Sequence, residues 1–239
     1  ELQMKINKLE LTRFILSDIK YLVWGVMFIM YAFMANNNGA PEFLSKVGKI
    51  LYWDISRMFR PSFNPNSFWI SQLTFDIYGL GKILYGSTFY SSDKLVFMLF
   101  LLQGIGMILI CTINEDINGS VHLGATYCTI IITIVLVYVL LYKKHLQRKL
   151  HNILLILLNC NVICIVLVGV QYMCYTKKKL PFGCSFLASC FEAPIFSFGY
   201  HEWAFLIWLC IVDWASYSFY VNKIITIFNE KQQYAAVSM

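Results

Sequence analysis

The chain has 239 residues, of which 59% are hydrophobic and only 13% charged, with a formal net charge of +6. An ordinary soluble domain is about 25% charged, so this composition excludes a water-soluble globule. A membrane-spanning helix needs roughly 20 mostly apolar residues, and six windows come close to that length: 21–35, 68–86, 95–113, 121–142, 153–175 and 194–221. Their apolar runs are too long and too continuous for barrel strands, so the expected fold is all-α, one six-helix transmembrane domain over 21–228.

In chain order, residues 1–20 space Leu2, Ile6, Leu9 and Leu16 at helical intervals beside Lys5, Lys8 and Lys20, which predicts an interfacial helix on an anionic membrane face. After the first span, "FLSKVGKILYWDISRMFRPSF" places Leu44, Val47, Leu51 and Ile55 on one face with Trp53 as an anchor, the pattern of a helix lying on the bundle's surface. The third and fourth spans are joined by the polar turn "NEDINGS", which contains the glycosylation sequon Asn118-Gly119-Ser120 close to the bilayer. A basic loop, "YKKHLQRKLHN", connects the fourth span to the fifth, and a short polar tail, 229–239, ends the chain.

Placing both termini in the cytosol puts twelve of the nineteen basic residues on the cytosolic side, Lys82, Lys94 and Lys143 among them. Arg57, Arg60 and the run "TKKKL" then face outward with the loops 36–67, 114–120 and 176–193. Cys184 and Cys190 fall in the last of these loops, an oxidising setting that allows either a disulfide or two free thiols. Cys160 and Cys164 lie one helical turn apart without a second pair or a nearby His, so they read as packing residues, and no metal or cofactor is expected.

Ionisable groups at membrane depth are costly and call for a role. Asp76 and Lys82 share the second span but point to opposite sides; an interhelical hydrogen bond is the expectation for Asp76, and snorkelling toward the interface for Lys82. On the fourth span His122, Thr126, Thr129 and Thr133 form a polar stripe, and on the sixth Glu202 and Asp213 share a face with Ser216 and Tyr220. Both spans begin on the outer side, so His122 and Glu202 are expected at similar depth, with Glu115, Asp116 and His201 above them. Such a group is either interhelical glue or a small polar recess for a lipid headgroup. The chain shows no catalytic signature, phosphate-cradling loop or HExxH spacing, and no nucleic-acid partner is expected.

Several segments together resemble a known family. "NEDINGSVHLGA", "LLYKKH", "CFEAPIFSFGYHEW" and "NGAPEFLSKVG" are similar, in order and spacing, to the damage-regulated autophagy modulator and FGF-receptor-activating-protein family, most of all to its post-GPI-attachment factor 2 branch. The resemblance implies a six-helix protein of the Golgi, endoplasmic reticulum or plasma membrane, linked to GPI-anchor lipid remodelling, phosphoinositide kinase scaffolding or autophagy. It points to His122 and Glu202 as the polar pair, with Glu115, Asp116, Cys190 and Glu192 in support. Asp213 stands where that branch is expected to carry His, and "EFLSKVG" lacks its proline-serine step.

Two functions are therefore expected to compete: a lipid-remodelling factor acting on lipids or GPI-anchored substrates, and a non-enzymatic accessory or scaffold subunit of a larger membrane-protein complex. The absence of an internal repeat and of Gly/Pro-broken helices disfavours a channel or transporter.

Overall fold

A computed structural model describes residues 55–143, apart from Ser67 and the Arg57 side chain, and separate positions in the flanking segments: 8, 11–13, 15, 16, 23, 25–27, 29, 152, 155, 156, 159, 160, 163 and 226. Among the described residues every regular element is helical: a 3-10 turn, Ile55–Phe59, followed by α1 (Phe68–Ser87), α2 (Lys94–Thr112) and α3 (Glu115–Tyr142). The three α-helices occupy the second, third and fourth expected spans. Two of them, α2 and α3, are long and apolar enough to cross a membrane. At ~1.5 Å per residue, the 19 residues of α2 reach about 28 Å, close to a hydrocarbon thickness of ~30 Å. Of the surface segment expected after the first span, the described part is 55–63, the 3-10 turn and the loop that follows it; Leu44, Val47, Leu51 and Trp53 lie outside the described residues.

Local chemistry sets the helix ends. Asp93 caps α2, its carboxylate accepting from the Val96 amide at 3.2 Å, which satisfies one of the donors a helix start leaves open. Asn114 does the same for α3, accepting from the amides of Asp116 at 3.0 Å and Ile117 at 3.2 Å. Glu115 and Asp116 then fill the first turn, where the helix dipole favours negative charge. Their turn is short: Asn118 leaves helical geometry at φ −159°, ψ 96°, and its own side chain accepts from the Val121 amide at 3.1 Å. Asn118 thus starts the helix a second time, and α3 begins six residues ahead of the apolar span at 121 because two asparagine caps stand in series.

Close helix approach depends on glycine. A Cβ on Gly79 of α1 would lie 2.7 Å from the Gly104 carbonyl oxygen of α2, and one on Gly104 would lie 2.5 Å from the Gly79 oxygen, so the two backbones touch where neither residue has a side chain. Gly106 gives the same clearance to Thr129 of α3. Far from the Glu115 end, Lys143 Nζ meets both Asp93 carboxylate oxygens at 2.7 Å, tying the last turn of α3 to the cap of α2. Arg13 docks nearby: its guanidinium lies 4.1 Å above the Phe89 ring and donates to the Thr88 hydroxyl and carbonyl. The 1–20 segment therefore touches the bundle at a buried arginine as well as presenting exposed Leu11 and Ile15.

The helices are apolar outward, and their largely apolar core includes several buried polar side chains. On α1, Trp69, Leu73, Ile77, Leu80 and Leu84 form an exposed stripe, while Ser71, Thr74, Tyr78 and Lys82 are buried. Lys82 differs from the snorkelling expectation. It is only 3% exposed, with its ammonium 5.2 Å from the Tyr78 ring and 5.8 Å from that of Phe100. One of these rings belongs to its own helix and the other to α2, both within the range of cation–ring attraction, which strengthens when the cation is desolvated. Asp76 meets its expectation: it accepts from the Cys111 thiol of α2 at 3.1 Å.

Candidate functional site

The 3-10 turn and the loop after it bring a cation to the start of α3. Phe59 anchors this loop, its ring edge-on to Phe75 of α1 with centroids 4.5 Å apart, and the Asn64 side chain donates to the Met58 carbonyl at 3.2 Å. Pro61 follows Arg60, and the chain turns there. That geometry presents Arg60, Ser62 and Ser56 to the acidic first turn of α3. Arg60 Nη1 lies 2.7 Å from Glu115 Oε2 and Nε lies 3.0 Å from Asp116 Oδ1. The Ser62 hydroxyl donates to Asp116 Oδ1 at 2.7 Å, its amide to Oδ2 at 2.9 Å, and the Ser56 hydroxyl to Glu115 Oε1 at 3.4 Å.

The electrostatics follow from these contacts. The Ser62 hydroxyl and then its amide, with Arg60 adding to them, hold the Asp116 carboxyl below the ordinary carboxylate range, because each favours the charged form. Asp116 precedes the break at Asn118 and lies outside the apolar span. The group is half-open to solvent, with Arg60, Glu115 and Asp116 side chains 30%, 32% and 22% exposed, and it carries one more negative than positive charge.

His122 lies one step further along α3 and inside the bundle, 2% exposed. Its Nδ1 is 2.9 Å from the Ile110 carbonyl and 3.1 Å from that of Ile113. Both partners only accept, so Nδ1 carries the proton. These carbonyls belong to the end of α2, where a helix leaves its last C=O groups without intrahelical donors. The imidazole therefore closes α2 from a neighbouring helix.

The threonine stripe below it also turns to α2. Thr129 packs against Gly106, and Thr133 accepts from Gln103 Nε2 at 2.8 Å. Each threonine returns its own hydroxyl proton to the carbonyl four residues back: Thr126 to His122, Thr129 to Ala125 and Thr133 to Thr129. Gln103 Oε1 is buried and has no hydrogen-bond partner among the described residues.

Of the residues singled out in the sequence, Glu115, Asp116 and His122 gather at one end of α3, the first two on the surface and the third beneath. Glu202, His201, Asp213, Glu192, Cys184, Cys190 and Cys164 lie outside the described residues. Among the described residues no group of three His, Cys, Asp or Glu side chains could hold a metal ion. Arg60, Ser62 and Gln103 were not singled out. The one signal for Arg60 was its assignment to the same side as the acidic turn, a property it shared with Arg57 and the run "TKKKL".

Comparison with the models of known families, with curated proteins and with solved structures finds no match for this chain.

Proposed function

We propose that this chain is a multi-pass membrane protein that seats a lipid headgroup at its Glu115 end, acting on membrane lipids in the manner of the GPI-anchor lipid-remodelling factors it resembles, in the Golgi or endoplasmic reticulum or at the plasma membrane. The observation that carries the reading is the distribution of polarity. The outward stripes of α1 and α2 are apolar, the mainly apolar core also encloses Ser71, Lys82, Gln103, Thr129 and Thr133, and a mixed-charge group stands open at one helix end. A soluble bundle carries polar and charged residues on those outward faces instead.

At a headgroup-level site Arg60 would face a phosphate and the carboxylates of Glu115 and Asp116 an ammonium, with His122 as a positioning residue that fixes the end of α2 beneath them. The sixth-span residues Glu202, His201 and Asp213, which lie outside the described residues, belong to the same proposal on the sequence alone. Deleting the gene and profiling GPI-anchor lipids by mass spectrometry tests the reading; unchanged lipid composition with normal surface anchoring overturns it.

The accessory or scaffold reading is favoured by one observation: every carboxylate oxygen of Glu115 and Asp116 already meets a donor from its own chain. A group so well satisfied holds a loop in place without any ligand. Native mass measurement after mild solubilisation separates the two, since a stoichiometric complex with a different membrane protein supports the scaffold.

A further inference from the structure

We infer that the Asp93 end of the bundle binds the anionic headgroups of a phospholipid leaflet, with Lys8 and Lys94 as the groups that read their charge. The inference rests on the membrane reading and on no part of the proposed lipid site, which lies at the other end of α3.

Arg13 fixes the level. It donates to the Thr88 hydroxyl and carbonyl, just past the end of α1, while Val23 and Met27, further along the same segment, are buried in the core. The chain therefore enters the bundle at the turn between α1 and α2, and Lys8, ahead of Arg13, belongs to that end. Lys8, Leu11, Thr12 and Ile15 are helical, exposed and spaced at intervals of three and four, so they share one face, whereas Arg13 is buried and Leu16 packs against the core. A cation beside two exposed aliphatic side chains is the pattern of a face lying at the boundary between headgroups and acyl chains.

Two tyrosines mark the same boundary. Tyr90, in the turn and edge-on to Phe97, and Tyr142, the last residue of α3, are 61% and 86% exposed; exposed Trp69 is their counterpart at the far end of α1. Amphipathic rings at both ends of apolar helices sit at the two interfaces of a bilayer.

Charge identifies the occupant. The described residues at the Asp93 end carry four cations, Lys8, Arg13, Lys94 and Lys143, against the carboxylate of Asp93, which Lys143 already meets at 2.7 Å. At the Glu115 end Arg57 and Arg60 balance Glu115 and Asp116. Lys94 is exposed in the first turn of α2, where the helix dipole disfavours a cation. Among the described residues neither Lys94 nor Lys8 has an acidic partner. An anionic headgroup supplies one to both, and the cytosolic leaflet, to which the excess of basic residues assigns this end, is the one rich in such lipids.

The test reconstitutes the full chain in mixed phosphatidylcholine–phosphatidylserine bilayers and reads, by electron paramagnetic resonance of spin-labelled lipids, which lipid the protein immobilises. Wild type is expected to prefer phosphatidylserine about threefold at ~0.1 M salt and to lose that preference near ~1 M, where the screening length falls to about 3 Å. Lys8→Gln with Lys94→Gln brings the ratio close to unity, Lys8→Arg with Lys94→Arg keeps it, and Arg57→Gln at the other end leaves it unchanged. Unaltered thermal midpoints show that the variants are folded, and the salt titration needs no variant. Equal immobilisation of the two lipids overturns the inference. So does a preference that survives the double glutamine variant or high salt, or one that falls in Arg57→Gln. Release of the chain by alkaline carbonate overturns the membrane reading and the inference with it, whereas a chain retained without lipid preference overturns the inference alone.

Discussion

Arg60 and Glu115 lie fifty-five residues apart in the chain and meet at 2.7 Å, joining the loop ahead of α1 to the first turn of α3. Because Asp116 takes the Nε of the same guanidinium, one side chain bridges two adjacent carboxylates. The pairs are about one-third exposed, so each is worth only ~0.2–1 kcal/mol, with the network as a whole exceeding any single pair. Arg60→Gln is expected to expose the 60–66 loop to protease and to lower stability by about 1 kcal/mol. A double-mutant cycle of Arg60→Gln with Asp116→Asn checks it: a coupling indistinguishable from zero would show that the bridge holds nothing.

The Asp116 carboxyl is held below its ordinary value of 3.8. Its contribution to holding the loop is therefore fully present above about pH 4 and is lost as the pH falls through the lowered folded value, where protonation removes the charge that the Ser62 hydroxyl and amide stabilise. Ser62→Ala weakens that stabilisation and moves the loss upward in pH. Following loop proteolysis between pH 2 and pH 6 for both proteins measures the shift, and identical profiles would refute the assignment.

His122 closes α2 through a protonated Nδ1. His122→Ala leaves the Ile110 and Ile113 carbonyls without that donor in a buried place, at a cost of about 1–3 kcal/mol, whereas His122→Asn, which keeps a donor near the same position, loses less. Thermal unfolding in detergent ranks the three proteins. Nitrogen chemical shifts of labelled histidine add an independent check, since an Nε2-protonated imidazole is incompatible with two carbonyl partners at Nδ1.

Gly79 and Gly104 allow two backbones to touch. Gly79→Leu forces α1 from α2 and is expected to destabilise by about 1–3 kcal/mol or more, as overpacking does. The outward-facing Leu80→Ala on the same helix serves as the comparison. Equal losses in the two variants, read as thermal midpoints, would place the helix crossing elsewhere.

Gln103 and Thr133 make a different prediction of sign. The hydrogen bond between them is buried, yet Gln103 Oε1 has no partner among the described residues, so the pair contributes little net stability. Thr133→Val alone strands the amide donor as well and costs about 1 kcal/mol. Adding Gln103→Leu removes the stranded group and recovers most of that loss, because replacing both partners by apolar groups is nearly neutral. Additive losses in the double variant would contradict this.

The positions of the three described helices were legible from the residues alone. The windows 68–86 and 95–113 agree with α1 and α2 to within a residue at each end, because apolar run length and local caps are properties of neighbouring residues. Asn114 followed by two acids was a readable helix start; the second start at Asn118 is the part the span boundary at 121 passed over.

Tertiary structure decided the direction in which each polar group was used. Periodicity placed His122, Thr129 and Thr133 on one face but carried no information about which helix that face meets, and the fold turns them to α2 through the clearance at Gly106. Likewise Lys82 had a stem long enough to reach an interface, and the fold instead places its ammonium near the Tyr78 and Phe100 rings. The charges of Glu115 and Asp116 were visible in the sequence, but their partner, chosen among several basic residues on the same side, was not. Intervals along a helix fix angles about its own axis, whereas contact across helices depends on distances that no local spacing encodes.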